Sequence, residues 1–436
     1  MILMPVTVPA VLIDEVGLDP AADSWRQEVL HAVGTPDGGA YVLSSLWRHD
    51  PRPAGDGGRG FGCRLITRHD PDGTALATAV LAQELPGRAP SVVVPGNDAA
   101  LAVLPDGALA VSSRPGNTHL LTPALDALAA GWTMPANPRA RDGAGPADDP
   151  FAASVAVTPG GRLLCLNAER NLGPWGVPLV NLVTLSEPAA RPAVGHKPEL
   201  RALATLGTER TRQSEADAQP HLRHGDAPVA AGHRPSPTLV EILPELVGGA
   251  AHRWKDAFLR RPVPIAEDRY VVPVFGRTHR AGSRGQVFAF VLLDDTGAVR
   301  GHLGGLDPYA HSPYTGDHFT VAADPARGTA FHLNRYGLFG WTADGALRAQ
   351  LLTTDAPFKA LTTFELLTVT PAGELLLAHR TQHLLLRVPV PAELAGLPAA
   401  VTEALAGLTR ARNALKRRHA PVEWLWPEAT GAVHHL

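Results

Sequence analysis

The sequence contains very little cysteine. Its 436 residues include two, Cys63 and Cys165. Two thiols cannot form a disulfide framework, and they exclude a zinc site built on cysteines. Both lie in apolar runs that are typical of strands. We therefore predict two buried free thiols rather than a catalytic cysteine.

The chain also lacks long hydrophobic runs and a basic leader. No uncharged run approaches the roughly 18 apolar residues expected of a membrane span. The opening MILMPVTVPAVLIDEVGL has no basic n-region and carries Asp14 and Glu15, so no secretory signal is predicted. The formal net charge of -3 gives no global field that favours nucleic acid or an anionic membrane. We expect a cytoplasmic protein that binds neither.

The familiar catalytic strings are absent. The sequence has no Gly-Lys-Ser/Thr of a P-loop, no His-Glu-x-x-His, no Gly-x-Ser-x-Gly and no Cys-x-x-Cys. The glycine-rich GGRGFG at 57–62 lacks the preceding strand and following helix of a dinucleotide-binding loop, so we interpret it as a flexible turn. Motifs therefore do not identify a reaction.

What the chain has in abundance is turn residues, with 43 Gly and 41 Pro against only 19% charged residues. Several stretches repeat one pattern: an apolar run, a tight turn of Pro, Asp and Gly, and a second apolar run. This pattern is typical of a β-hairpin. The five clearest turns lie at Gly39, Gly107, Gly161, Gly328 and Gly373, and a weaker sixth copy turns near Asp268.

Several copies continue into a third and a fourth strand, as in LFGWT followed by ALRAQLLTT. Four antiparallel strands repeated about six times resemble the six-bladed β-propellers called NHL or SMP-30-like. The resemblance lies in strand–turn spacing without a family motif, and it covers most of residues 5–390. It implies an all-β fold of six four-stranded blades. A pair of β-sandwiches is the alternative.

Pro391 introduces a helix, so the last copy is short of a fourth strand. We predict that the apolar run 6–13 near the N-terminus supplies it and closes the last blade. Residues 1–390 would then form the propeller. Residues 187–250, rich in Pro, Ala, charge and His, are predicted to be an irregular insertion.

Residues 391–418 have a helical pattern, and 391–436 are predicted to form a helix and tail packed on the propeller. The apolar residues of the helix recur at spacings of three, four and seven. Trp424 and Trp426 either pack on the same flank or present an aromatic patch to a protein partner. The residues predicted on one helix face are Leu394, Leu397, Val401, Leu405, Leu408 and Leu415.

An arginine follows each hairpin at a similar distance from its turn. In a propeller these positions would share one face around the channel, where clustered guanidinium groups suit carboxylates or phosphates. The alternative is a set of ordinary surface arginines and salt bridges between blades. With His311 and Tyr314, the predicted ligand-binding residues are Arg48, Arg114, Arg170, Arg277, Arg335 and Arg380.

Other polar residues map to the same predicted face. Glu169, His318, His332 and His379 are candidate acid–base groups, because such side chains transfer protons near neutral pH. SMP-30-like lactonases hold a divalent cation with Glu, Asn and Asp, so the resemblance implies a metal as the one candidate cofactor. Residues of those types in plausible places are Asp98, Asn167, Glu169, Asp317 and Asn334.

Two functions remain open at this point. The first is a propeller that binds an anionic small molecule or an acidic partner at an arginine- and histidine-rich channel mouth. The second is an enzyme that uses the same mouth, either a metal-assisted hydrolase of the lactonase kind or a histidine-based lyase or cyclase. The fold class does not choose between them, because propellers host both.

Overall fold

A computed structural model describes the greater part of the strands and one long helix. The described residues are 2–3, 25–48, 62–82, 100–113, 117–126, 128–133, 151–169, 180–186, 200–209, 219–224, 254–278, 286–304, 321–379, 384–418 and 431–435. The chain forms two compact units. The first comprises Met1–Ala110, His119–Ala130 and Thr363–Leu436, and the second comprises Val111–Thr118 and Gly131–Thr362.

The described residues are mainly β-strands. The strands are β1 (Ile2–Leu3), β2 (Trp25–Gly34), β3 (Ala40–Arg48), β4 (Gly62–His69), β5 (Ala75–Ala82), β6 (Leu101–Val103), β7 (Leu109–Ser113), β8 (Asn117–Leu121), β9 (Leu128–Thr133), β10 (Phe151–Val157), β11 (Leu163–Glu169), β12 (Val180–Ser186), β13 (Leu200–Glu209), β14 (Gln219–His224), β15 (Trp254–Leu259), β16 (Val263–Ala266), β17 (Arg269–Thr278), β18 (Gln286–Asp294), β19 (Val299–His302), β20 (Val321–Asp324), β21 (Thr329–Asn334), β22 (Gly337–Thr342), β23 (Leu347–Leu352), β24 (Phe364–Val369), β25 (Glu374–His379), β26 (Leu384–Pro389) and β27 (Gly431–His435).

These strands form separate sheets that follow one another along the chain. Sheet I has the order β2-β3-β4-β5-β27, sheet II β6-β7-β8-β9, sheet III β10-β11-β12-β13-β14, and sheet V β20-β21-β22-β23. Sheet VI has the order β1-β26-β25-β24. In sheet IV, β15 and β16 pair with successive parts of β17, and β18 and β19 follow. Consecutive antiparallel sheets of this kind are the blades of a β-propeller, which confirms the predicted fold class. The number of blades stays a prediction.

The predicted hairpins are confirmed, and four of their turns share one construction. In the turn that opens sheet I, Thr35 N donates to Gly39 O at 3.0 Å and Gly38 N donates to Thr35 O at 3.0 Å. The same pair of bonds joins Leu104 to Ala108 and Gly107, and recurs in sheets III and VI. Each of these four turns places a glycine at positive φ, because a side chain there would clash with the backbone. In sheet I that glycine is Gly38, with φ 86°, rather than Gly39.

Each unit has its own apolar core between neighbouring sheets. In the first unit, sheets I and VI share a cluster that includes Val42, Leu376 and Leu385. In the second unit, sheets III and IV share a cluster around Leu164 and Tyr270. Sheets IV and V share another around Phe290, Phe339 and Trp341. Alternating apolar residues on each strand produce these faces, since successive side chains point to opposite sides of a sheet.

Residues 187–250 were predicted to be an irregular insertion, and this was wrong in part. β13 and β14 fall within that range and pair in register with sheet III, β13 on β12 and β14 on β13. Sheet III therefore has five strands rather than four. β27 also makes sheet I five-stranded, whereas four strands were predicted for each blade. The rest of 187–250 lies outside the described residues.

The predicted closure of the last sheet by the N-terminus is confirmed, but with a different segment. Ile2 pairs with Leu385 and Leu3 with Leu384, so β1 is the fourth strand of sheet VI. The run 6–13 that was predicted for this place lies outside the described residues. Two residues are enough to protect the backbone of β26 along part of its outer edge.

The predicted C-terminal helix is α1 (Leu397–Arg418), preceded by a short 3-10 helix at Leu394–Gly396. It packs on β26 of the same unit. Among the described residues, no helix is both long enough and apolar enough to cross a membrane. The side chain of Leu415 and both Trp424 and Trp426 lie outside the described part. The predicted apolar face is confirmed for Leu394, Leu397, Val401, Leu405 and Leu408, which are all buried.

Cys165 is a free thiol with 2% of its surface exposed, as predicted. Burial raises the pKa of this thiol to about 12, because an apolar surrounding disfavours the thiolate. A thiol that stays protonated is a poor nucleophile and a poor metal ligand. The side chain of Cys63 lies outside the described residues.

Candidate functional site: the arginine ends of the sheets

The hairpin turns of neighbouring sheets lie side by side in the first unit. Gly34, which precedes the sheet I turn, lies against Thr370 of the sheet VI turn: a Cβ on Gly34 would come within 2.7 Å of Thr370 Cβ. Arg387 of β26 donates to Gly38 O at 2.8 Å. Tyr41 at the start of β3 donates to Pro123 O at 2.7 Å. Within this unit the turns therefore share one end of the sheets.

The second unit has the same arrangement. Gly160 of the β10–β11 turn lies against Glu267 of the β16–β17 turn, where a Cβ on Gly160 would meet the carboxylate Oε1 at 2.2 Å. Arg269 at the start of β17 donates to Ala343 O in the β22–β23 turn at 3.1 Å. Gly304 N donates to Gly345 O at 3.0 Å. Turns of sheets III, IV and V therefore lie at one end.

In each of the six predicted hairpins, the second strand runs away from the turn and ends next to an arginine. The arginine lies seven residues after the turn in some copies and nine in others, because the strands differ in length. Measured from the end of the strand, the arginine has nearly the same position in every copy. Arg48 is the last residue of β3, Arg277 is next to last in β17, and Arg114, Arg170, Arg335 and Arg380 directly follow β7, β11, β21 and β25 in the sequence. We call these positions the arginine ends.

Arg335 is the one member of this set whose side chain is described. It is exposed, and its guanidinium carbon lies 4.7 Å from the centroid of the Tyr336 ring. A guanidinium on an aromatic face gains cation–π attraction and loses little freedom when it binds an anion. Thr353 Oγ1 also donates to the Arg335 carbonyl at 2.7 Å. Tyr336 was not among the residues predicted for the site. Its place in the tight turn Asn334-Arg335-Tyr336-Gly337 is the sequence feature that indicates it.

Asn334 holds the turn on which Arg335 is placed. Its side-chain Oδ1 accepts hydrogen bonds from Tyr336 N at 2.8 Å and Gly337 N at 3.1 Å. This bonding is the Asx turn that favours Asn at such positions. The oxygen predicted to bind a metal therefore caps a backbone turn. Its side chain is 4% exposed.

His332 and His379 were predicted to stand at the rim as acid–base groups, and the structure places both in the cores instead. His332 has no exposed surface, and its ring packs edge-on against Phe290 at 4.8 Å. His379 is 8% exposed and packs edge-on against Phe364 at 5.1 Å. His332 lies inside β21 and its ring faces Phe290 of sheet IV, whereas His379 is the last residue of β25 and its ring faces Phe364 of β24 in the same sheet. Burial removes the access to substrate that proton transfer requires.

Other predicted site residues cannot be placed. Asp98, Arg114, Arg170, His311, Tyr314, Asp317, His318 and Arg380 lie outside the described residues, as do the side chains of Arg48, Asn167, Glu169 and Arg277. Asn167 and Glu169 are known through their backbone, paired with Leu182 and Val180. In the described part of the chain, no three His, Cys, Asp or Glu side chains are placed to hold a metal ion. The metal site stays a prediction.

Several described carboxylates lie at the opposite, turn end, where they accept hydrogen bonds from the turns. Asp294 is the clearest case. Its Oδ1 accepts from Thr296 N at 2.9 Å and Ala298 N at 3.0 Å, and its Oδ2 accepts from Arg300 Nε at 2.6 Å. Burial opposes ionisation of this carboxyl, but the hydrogen bonds outweigh it and hold its pKa at about 2. Asp37 with Arg68 and Asp324 with Arg327 repeat the arrangement.

The low pKa of Asp294 predicts an acid-sensitive contribution to stability. Because the folded pKa lies below the unfolded value of roughly 3.9, the contribution is full above about pH 4 and is lost as the pH falls towards about 2. Asp294→Asn should cost about 1–3 kcal/mol at pH 6, with a smaller difference from the wild type at pH 3. Urea unfolding at several pH values measures this, with the exposed Asp268→Asn as control. A difference independent of pH would contradict it.

Comparisons with known proteins find solved structures of low similarity and no relative by sequence. No family model matches the sequence, and no curated protein matches it. Similar solved structures include the WD40 β-propeller domain of Doa1, with 11% identity, 84% of this chain and 93% of that chain covered, and a TM-score of 0.33. U3-55K has 13% identity, coverage of 83% and 92%, and a TM-score of 0.36. The RRP9 WD40 repeats have 12% identity, the same coverage and a TM-score of 0.36.

Proposed function

We propose that the chain is a binding scaffold whose arginine ends recognise an acidic protein segment. One observation carries the proposal: the second strand of each hairpin ends within one residue of an arginine, and in each unit these ends lie opposite the shared turn end. A propeller fold fits a binding or scaffold role. Arginine is well suited to carboxylates because its planar guanidinium presents several donors in a fixed geometry.

The spacing of the arginine ends favours an extended acidic segment over a small anion. Sheets that pack face to face lie about 10 Å apart, so equivalent strand ends of neighbouring sheets are separated by a similar distance. A single carboxylate or phosphate carries less negative charge than three guanidinium groups carry positive charge. A segment with several Asp or Glu residues can place one carboxylate at each. In the second unit the positions are Arg170, Arg277 and Arg335.

The electrostatic setting of Arg335 supports this choice. Arg335 is exposed, and its guanidinium carbon lies 4.7 Å from the centroid of the Tyr336 ring. A planar cation placed on an aromatic face loses little freedom when it binds an anion. Arg335 and Tyr336 together therefore provide an anchor for one acidic side chain.

Binding of a fluorescein-labelled deca-glutamate peptide tests the proposal, measured by fluorescence anisotropy at 50 mM salt. The triple variant Arg170→Gln/Arg277→Gln/Arg335→Gln should bind at least tenfold more weakly, which corresponds to about 1.4 kcal/mol. Affinity of the wild type should fall at 300 mM salt, because exposed charges are screened. A deca-lysine peptide should not bind.

The matched control removes the same charge from the turn end of the same unit. Arg300→Gln/Arg327→Gln/Arg348→Gln changes the net charge equally and leaves the arginine ends intact. It should bind the peptide within about twofold of the wild type, since the net-charge effect alone is weak at distances beyond the Debye length. Equal losses in the two triple variants would overturn the proposal, and so would a wild-type chain that binds no acidic peptide.

A further inference from the structure

The outer edge of β5 carries a strand that comes from the far end of the chain. β27 pairs with β5 in parallel, with Gly431 opposite Thr78 and His435 opposite Ala82. The other ladders of sheet I, and those of sheets III to VI, are antiparallel. Strands β2 to β5 are consecutive in the chain, whereas β27 begins at Gly431, far in sequence from the end of β5 at Ala82. The edge of β5 therefore accepts an added strand.

The ladder joins five residue pairs through the backbone. In its first three pairs, Gly431 to Val433 opposite Thr78 to Val80, the residues are small or β-branched, and the last two pairs are His434 with Leu81 and His435 with Ala82. Strand addition to a sheet edge draws its affinity from main-chain bonds, and small side chains impose few restrictions on approach. Leu76, on the same strand just before the paired stretch, is 45% exposed and is a large apolar side chain on the described surface. This edge has the properties of a docking site.

β27 is joined to the rest of its unit by a long connection. Helix α1 is anchored through Leu397, Val401, Leu405 and Leu408, and ends at Arg418. Twelve residues, 419–430, separate that end from β27. Such a connection spans at most roughly 40 Å when extended. The helix packs on β26 of sheet VI, whereas β27 pairs with β5 of sheet I.

We propose that β5 is a strand-docking site for the C-terminal strand of a second copy of this chain, so that two chains exchange residues 431–435. The occupant is argued from the structure itself, because the second copy offers the same strand in the same register. Exchange of identical elements gives dimers at low cost, since each chain keeps all of its bonds. The strand in cis competes at an effective concentration on the order of millimolar, so exchange requires concentrated protein.

Site-directed cross-linking tests the exchange. Val80 and Val433 are register partners, and neighbouring strands bring partners to a separation that a disulfide spans. One preparation carries Val80→Cys and another carries Val433→Cys. After mixing and mild oxidation, a disulfide between the two chains forms only when the strand of one copy lies on β5 of the other. Its yield on a non-reducing gel should rise with protein concentration.

Two further variants make each outcome decisive. Removal of residues 431–436 from the Val80→Cys chain eliminates the competitor in cis and should increase the rate of cross-linking at least tenfold. The double variant Val80→Cys/Val433→Cys in one chain should close within the chain, which verifies the register. Each single variant mixed with the wild type controls for the native thiols.

A cis disulfide without any cross-link between chains, even at high concentration and after truncation, would overturn the exchange. Failure of the cis disulfide would overturn the docking site itself. Neither result depends on the arginine ends, so each of the two proposals can be overturned without the other.

Discussion

Replacing Gly345 with alanine should destabilise the chain by about 3 kcal/mol or more, the sum of a left-handed backbone and a backbone clash. Gly345 has φ 86°. A Cβ at this position would lie 2.5 Å from the carbonyl oxygen of His302, in the neighbouring sheet of the same unit. That oxygen belongs to a strand and cannot retreat as a flexible side chain would. The Gly345 carbonyl also accepts the Gly304 N–H at 3.0 Å, so a shift there would lose a bond.

Gly107→Ala is the matched control, because it has the same backbone conformation without the clash. Its φ is 87°, and the nearest atom to an added Cβ is Pro123 Cγ at 3.5 Å, an ordinary contact. The expected loss is about 1–2 kcal/mol, the cost of a left-handed alanine. Urea unfolding followed by circular dichroism measures both variants. Equal losses would mean that the approach of His302 to Gly345 is not as close as described.

Trp341→Ala should cost about 3–5 kcal/mol, the range for a buried large aromatic side chain. Trp341 has no exposed surface, and its ring lies 5.8 Å from Phe290 and 6.1 Å from Phe339. Its Nε1 donates to Gly304 O at 2.9 Å, so it connects sheets IV and V by a polar bond as well as by packing. The free energy of unfolding is the measurement, from urea curves of wild type and variant.

Two further substitutions separate these contributions. Trp341→Phe keeps most of the apolar contact but leaves the Gly304 carbonyl without this donor, which costs about 1–3 kcal/mol. Leu76→Ala changes a side chain that is 45% exposed and should change stability by about 0.5 kcal/mol or less. If Trp341→Ala lost no more than Leu76→Ala, the aromatic cluster would not be the core of this unit.

The hairpins and their turns were predictable because their signals are local. Sequences such as Thr35-Pro-Asp-Gly and Thr370-Pro-Ala-Gly determine a turn within five residues, and alternation then defines both strands. The turn glycine of sheet I was misplaced by one residue, because two glycines stand together and only Gly38 takes the left-handed conformation. The arginine ends were found for the same reason, since each lies one strand beyond its turn.

The errors arose where pairing depends on distant residues. β13, LRALATLGTE, is rich in alanine and leucine and has little intrinsic strand preference, so composition favoured an insertion. Its pairing with β12 overrides that preference. β27 and β1 form ladders with residues hundreds of positions away, and no local sequence pattern indicates which strand each of them pairs with. His332 and His379 were assigned to the rim because their sequence positions indicate the strand but not whether the side chain is buried.

The pairing of β1 with β26 has a consequence for biosynthesis. Ile2 and Leu3 find their partners Leu384 and Leu385 only after roughly 380 more residues have been added, which takes on the order of 20–80 seconds at cellular translation rates. Until then β26 does not exist, and the N-terminal strand has to remain unpaired or borrow another edge. Completion of the last sheet is therefore a late event in the synthesis of the chain.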